Sequence, residues 1–389
     1  MKRLSIMIPL VILGFSGYGQ APISVNSFTF DLYKNLSQGK NNLVFSPISI
    51  TPAFDMVALG AKGETLNKIN STFHFEKNKQ FPKQMGNLLK DLKSRGNDSV
   101  NITITNRVWI EKSYKTSCKF RRALRSDFRA KIGQTSFVSD PEGSRNSINS
   151  TIETDTRGFI KDLLPQGSID NLTRLVLTNA VYFKGKWEIP FDPKKSSQRM
   201  FYPSNGKEVK HKFMYSTNDF GYYSSDDFSA LELNYYGDEL SLLIILPNKG
   251  TSLQDFSQKL NVDTYNNIIE NLAPEKISVN IPVFKLETSL SLKKTLSEMG
   301  MGVAFSDDAD FSGISGKTDL KISDAFHKAY IEVSEEGTTA AAATAVVVAV
   351  KSVFRPTQTF IADHPFVYIL RDKTTNTILF IGNLENPED

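Results

Sequence analysis

Few side chains in this sequence are spaced for chemistry. The four histidines, His74, His211, His327 and His364, stand apart, no two of them at metal-ligand spacing, and Cys118 is the single cysteine. A GxSxG elbow, a phosphate-binding glycine loop and an HExxH helix are all lacking. These residues point to no metal, no cofactor and no hydrolase. Lys351 is the first positive charge after an uncharged run over 337–350, and a cation is what the acidic pocket of a trypsin-like protease accepts. Val350, one residue earlier, suits an elastase-like pocket; Arg355 precedes Pro356, which hinders cleavage.

The element that must present these residues is EEGTTAAAATAVVVAVKS, residues 335–352. Its uncharged run falls short of the roughly 20 apolar residues of a membrane span. It shows no helical apolar stripe, and it is more than twice the usual strand of about 5–6 residues. The first half holds only small side chains and the second is rich in valine, so the segment could enter a narrow slot between two strands. Alternation places Thr338, Ala340, Ala342, Thr344, Val346 and Val348 on one uncharged face. Gly337 suits a hinge, and the preceding IEVSEE alternates like an established strand. Left exposed, such a segment is an aggregation hazard, carried only for a use.

HKAYIEVSEEGTTAAAATAVVV, residues 327–348, closely resembles the hinge and reactive-centre loop of the serpins. Further matches follow in order along nearly the whole chain: NLVFSPISI (42–50), INSTIETDTRGFIKDLLPQGSI (148–169), LTNAVYFKGKWEIPF (177–191), the strand and helix of 279–305, ADFSGIS (309–315) and a closing C-terminal hairpin. The resemblance implies an α+β serpin fold of three β-sheets with about eight or nine helices, and an exposed reactive-centre loop at about 337–360. It implies a hinge made of Glu335, Glu336, Gly337, Thr338, Thr339, Ala340, Ala341, Ala342, Ala343 and Thr344. Counting along that hinge puts the scissile bond between Lys351 and Ser352, with cleavage after Val350 as a second register. It also implies a buried polar cluster of Ser46, Ser49, Asn179 and His327 beneath the main sheet, and Trp187 where the loop enters. Two departures bear on packing. Thr151 replaces an aromatic in the helix that crosses the sheet. Val283 stands where many members carry a lysine, so that lysine's salt bridge to Glu335 is not expected.

The smooth hinge implies the inhibitory type, a metastable suicide substrate. The protease attacks the carbonyl of Lys351, and loop insertion traps the acyl-enzyme. The rival within the fold is a non-inhibitory serpin acting as carrier or chaperone.

Residues 1–19 read as a secretory signal peptide: Lys2 and Arg3, an apolar block over 4–15, then Gly17 and Gly19 for cleavage. Residues 20–389 show no linker or repeat and read as one domain. The expectation is a secreted monomer, extracellular, or at the periplasm or cell surface if the source is bacterial, as the composition suggests. Formal charge is +4, too small to imply a nucleic-acid or membrane partner. Lys83, Lys90 and Lys93 and the basic stretch 119–132 could meet a polyanion but read as solvated faces. Serine proteases are the expected partners. Helices are expected over 27–36, 48–61, 81–92 and 119–132, and strands over 101–110, 231–235 and 240–248.

Overall fold

The computed structural model describes residues 17–338 and 358–389, apart from Lys40, Asp98 and Lys131. The signal segment before residue 17, the hinge residues Thr339, Ala340, Ala341, Ala342, Ala343 and Thr344, and Val350, Lys351 and Ser352 lie outside the described residues.

The first third of the chain is mostly helical: α1 (Ala21–Leu36), β1 (Leu43–Phe45), α2 (Pro47–Ala58), α3 (Gly63–Thr72), α4 (Phe81–Ser94), β2 (Val100–Glu111), α5 (Cys118–Ala123), β3 (Ile132–Thr135) and α6 (Pro141–Asp155). Strands dominate the middle: β4 (Leu175–Lys186), β5 (Ser197–Phe201), β6 (Val209–Ser224), β7 (Phe228–Asn234), β8 (Leu240–Pro247), α7 (Leu253–Lys259), α8 (Val262–Asn271), β9 (Ala273–Pro282) and β10 (Phe284–Ser291). After single helical turns come β11 (Asp324–Ser334), β12 (Gly337–Thr338), β13 (Gln358–Ile361), β14 (Phe366–Asp372) and β15 (Ile378–Leu384).

Local chemistry sets several of these boundaries. Pro47 opens α2 and Pro141 opens α6, where a proline's missing N–H costs nothing. Asp140 caps α6 by accepting from Gly143 N, and Asn261 caps α8 through Thr264 N. Every residue of α2 is buried, so this helix runs through the core rather than along the surface.

The strands form a nine-stranded and a six-stranded hydrogen-bonded sheet among the described residues. The six-stranded sheet runs β10, β11, β12, β4, β2, β3. The larger sheet unites what could be two, because β6 is sixteen residues long and changes partners along its length. Its start pairs with β5, its middle with β9 and its last four residues with β7. β8, β14 and β15 are buried at every position, as strands covered on both faces must be.

One apolar core lies between α2 and the sheets. A smaller cluster lies on the other face of the six-stranded sheet, where Ile148 and Ile152 of α6 and Ile160, Leu163 and Leu164 beyond it meet Val176, Ala180 and Phe326. The crossing segment is helical only to Asp155. Left-handed backbone at Arg157, Gly158, Asp162 and Gly167 keeps 156–169 as turns despite its helix-like apolar spacing. The basic stretch 119–132 is also less helical than its composition implies. Helix α5 gives way to a π-turn over Leu124–Phe128, Arg129 takes a left-handed conformation, and Ile132 already belongs to β3.

Candidate functional site

Strands β11 and β4 run parallel and pair from Asp324↔Val176 to Tyr330↔Tyr182. Above that point they part, and the two residues of β12 lie between them. Gly337 and Thr338 pair with Ser334 and Val333 on one side and with Lys186 and Gly185 on the other. Glu335 and Glu336 make the tight turn from β11 into β12. Gly337 has φ +144°, and a Cβ there would lie 2.0 Å from the Gly185 carbonyl oxygen, so the turn requires glycine. Thr338 is fully buried, with its hydroxyl 2.7 Å from that of Tyr235.

Trp187 fastens this entry. Its indole N–H donates to Ser334 O at 2.8 Å, its backbone N–H to Glu336 O at 3.1 Å, and its ring stacks on Tyr235 at 4.5 Å. The amide of Phe191 donates to Glu335 O. The Glu335 carboxylate has its own cation after all. Lys212 Nζ lies 2.5 Å from it and Ser196 Oγ donates at 2.7 Å. Burial pushes this carboxyl up, but Lys212 and Ser196 together outweigh it and hold the group below the ordinary glutamate range. The cation comes from β6 rather than from position 283, and the amide of Val283 donates to the Lys212 carbonyl at 3.0 Å.

Just below the entry sits an aromatic clasp. Tyr182 and Tyr330 face each other across the β4–β11 seam with ring centroids 6.3 Å apart. Phe159, beyond α6, stacks on Tyr182 at 3.7 Å and 8° although it is 44% exposed. Lys285 lies over the Tyr330 ring, whose hydroxyl donates to Glu332.

Further down the seam lies the polar cluster. His327 and Asn179 are register partners, both fully buried. His327 Nε2 accepts from the backbone N–H of Ser46 at 3.0 Å, so its proton sits on Nδ1. Burial lowers its pKa to about 3, and the ring is neutral at physiological pH. Ser49 Oγ donates to Asn106 Oδ1 at 2.9 Å, and Asn179 Nδ2 reaches the same oxygen at 3.5 Å. The four residues named from the sequence thus form two networks rather than one. Asn106 is the hub of the second, and an asparagine within the alternating apolar TITNRV strand was the signal for it. Asn179 Oδ1 and His327 Nδ1 have no hydrogen-bond partner among the described residues.

A family model described as "Serpin (serine protease inhibitor)" matches residues 23–387. The chain is a serpin. It is 36% identical to the leukocyte elastase inhibitor of Xenopus tropicalis, over 92% of this chain and 97% of that protein. Serpin48 of the insect Tenebrio molitor superposes with a TM-score of 0.83 at 31% identity, covering 94% of this serpin and 98% of that structure. Human thyroxine-binding globulin superposes at 0.86 with 26% identity, over 96% and 100% of the two chains.

The family is one of protease inhibitors rather than enzymes. Of the hinge named from the sequence, Glu335, Glu336, Gly337 and Thr338 are brought together with Trp187 at the top of the six-stranded sheet. Sequence reasoning missed Lys212, Ser196 and Tyr235. Each contacts the hinge from another part of the chain, and nothing in its local sequence marks it.

Proposed function

We propose that this serpin is a secreted suicide inhibitor of trypsin-like serine proteases, cut between Lys351 and Ser352, with elastase-like cleavage after Val350 as a secondary activity. One observation supports the reading above others: Gly337 and Thr338 already pair on both sides between β11 and β4. The uncharged, small side chains that follow suit continued entry into the same seam.

In this mechanism the protease serine attacks the Lys351 carbonyl. An ester forms, the Lys351–Ser352 amide bond breaks, and the new amine of Ser352 leaves with the proton. Freed at one end, the loop inserts as a strand of about 40 Å at roughly 3.3 Å per residue and carries the acylated protease with it. If insertion outruns attack by water on the ester, the protease is trapped. Residues 1–19 act as the signal peptide, which sends a single domain from about residue 20 onward out of the cell as a monomer.

The likeness to thyroxine-binding globulin favours a second reading, a non-inhibitory carrier. Incubation with trypsin followed by a denaturing gel and mass spectrometry separates the two. The inhibitor gives a stable high-mass band and a C-terminal peptide beginning at Ser352. Cleavage at that bond without the band would refute inhibition and leave the carrier.

A further inference from the structure

Helix α2 is buried at every residue, and its sequence PISITPAFDMVA carries one ionisable side chain, Asp55. Asp55 is 3% exposed, and its Oδ2 has no hydrogen-bond partner among the described residues. Thr51, one turn earlier on the same face of the helix, is fully buried, and its Oγ1 is likewise unpartnered. A charged carboxylate held in such a place without a cation costs far more than a neutral carboxyl.

The elements packed against α2 supply no counter-charge. Helix α3 turns Thr65, Ile69 and Thr72 inward, α4 turns five apolar side chains inward and leaves its lysines exposed, and β15 has no titratable side chain. Titratable groups on the other neighbours are engaged elsewhere. Tyr33 of α1 bonds to Ser257, Arg107 of β2 holds Asp155, and Tyr182 of β4 stacks on Phe159. His327 bonds to Ser46, at the opposite end of α2. The charge that does act on Asp55 is a second acid, Asp127 of the π-turn at Leu124–Phe128. That turn is pressed against α4, where a Cβ at Gly86 would lie 1.6 Å from the Asp127 carbonyl oxygen. It is also closed on itself, because the amide of Ala130 donates to Leu124 O at 3.1 Å. Asp127 therefore cannot retreat unless α4 and the turn move with it. Burial first, and Asp127 second, push the Asp55 carboxyl well above the ordinary aspartate value of 3.8.

We propose that Asp55 is a proton-operated switch in the core: while it keeps its proton, α2 lies against α4 and the π-turn, and when it loses the proton the buried carboxylate, opposed by Asp127, drives that layer off α2. The folded chain holds this proton more tightly than the unfolded chain does. The stabilisation is therefore complete below the ordinary value and is lost as pH rises through the raised, folded one. The serpin should be tightest in acid and should loosen at α4 and the π-turn as pH climbs.

Hydrogen exchange of the full chain, read by mass spectrometry at pH 5 and pH 9 and scaled to an unstructured peptide, tests this. Peptides from α4 and residues 124–130 should lose protection about tenfold or more in wild type between the two values, and not in Asp55→Ala, while β14 and β15 stay protected in both. Over the same interval the melting temperature of Asp55→Ala should rise relative to wild type by about 5 °C. At pH 5 the protonated-carboxyl band in the infrared should weaken in Asp55→Ala, a readout that altered packing would not move. If Asp55→Ala fails to fold, Asp127→Asn takes its place: without the second acid, the loss of protection should shift to higher pH. Unchanged pH dependence in the variant, an unchanged infrared band, or loss of protection spread evenly over the sheets would overturn the switch.

Discussion

The register of β12, extended along the seam, makes a specific demand on Thr344. Thr338 pairs with Val333 and Gly185, and Gly337 with Ser334 and Lys186. Continued antiparallel to both neighbours, residue 344 arrives between His327 and Asn179, themselves register partners. It lies on the same face of the inserted strand as Thr338, whose hydroxyl points into the core toward Tyr235. The two atoms waiting there are His327 Nδ1–H, a donor, and Asn179 Oδ1, an acceptor, both buried without a partner among the described residues. A threonine hydroxyl can accept from the first and donate to the second. Each buried polar group left unmade costs about 1–3 kcal/mol. Thr344→Val keeps the shape and removes the hydroxyl, leaving both groups unmade, so the loop-cleaved form should lose about 2–6 kcal/mol while the intact form is unchanged. Unfolding of trypsin-cleaved and intact protein in denaturant reads both values. A cleaved Thr344→Val form as stable as cleaved wild type would refute the register or the pairing.

Three further outcomes follow from the entry and the clasp. Insertion between β4 and β11 must part Tyr182 from Tyr330, and the segment after α6 bridges that seam. Phe159→Ala should therefore speed uptake of a synthetic peptide of residues 338–350 by roughly two- to tenfold, from about 0.5–1.5 kcal/mol of aromatic contact. Leu172→Ala, an apolar side chain 73% exposed, is the control and should leave uptake at the wild-type rate; equal rates in both variants would dismiss the clasp. Lys212→Gln should cost about 0.5–1 kcal/mol at neutral pH, since Lys212 is half in solvent. The Glu335 carboxyl is held below its ordinary value, so this stabilisation is complete above that value and lost as pH falls through the lowered one. Denaturation at pH 7 and below pH 4 should show the difference between Lys212→Gln and wild type vanish in acid; a difference that persists there argues against the ion pair. Gly337→Ala should expel β12 from the seam at a cost of about 1–3 kcal/mol and shift Trp187 fluorescence, because its indole rests on Ser334. An unshifted spectrum would contradict that anchoring.

Much of the site was legible because its residues are consecutive. The hinge is a single run whose composition excludes a surface helix and a membrane span, and the apolar strands β8, β14 and β15 declare themselves as unbroken runs. Elements were misread where periodicity and backbone disagree. Ile160, Leu163 and Leu164 have helical spacing, yet left-handed residues at 157, 158 and 162 bury them through turns. The partner of Glu335 was illegible for a different reason. A carboxylate at a strand end can be met by a cation from any strand that passes, and here β6 brings Lys212 to it. Such contacts depend on topology, which no local pattern encodes. The length of β6 likewise hides in the sequence as a run of ordinary polar and aromatic alternation, although it decides how the strands divide into sheets.

The buried polar cluster has a division that bears on the loop insertion proposed above. His327 bonds to Ser46 on the α2 side, while Asn179 bonds to Asn106 on the neighbouring strand β2. Neither hydrogen bond crosses the β4–β11 seam, and the two halves are joined only beneath it, through Ser46 and Ser49 at the start of α2. Parting the seam breaks ladder bonds, and an inserted strand replaces them with ladders on both of its sides. The core-facing rows that the proposed insertion would meet follow from the register of β12. Ala340 would come between Ile331 and Phe183, both large; Ala342 between Ala329 and Val181; Thr344 between His327 and Asn179; Val346 between Ala325 and Leu177. Ala340 meets the bulkiest pair and the polar Thr344 meets the polar pair, while Ala342 and Val346 each meet a row that contains an alanine. Placing bulk against that first pair, as in Ala340→Val with Val346→Ala, should slow uptake of the loop and inhibition together; inhibition at the wild-type rate would refute the register.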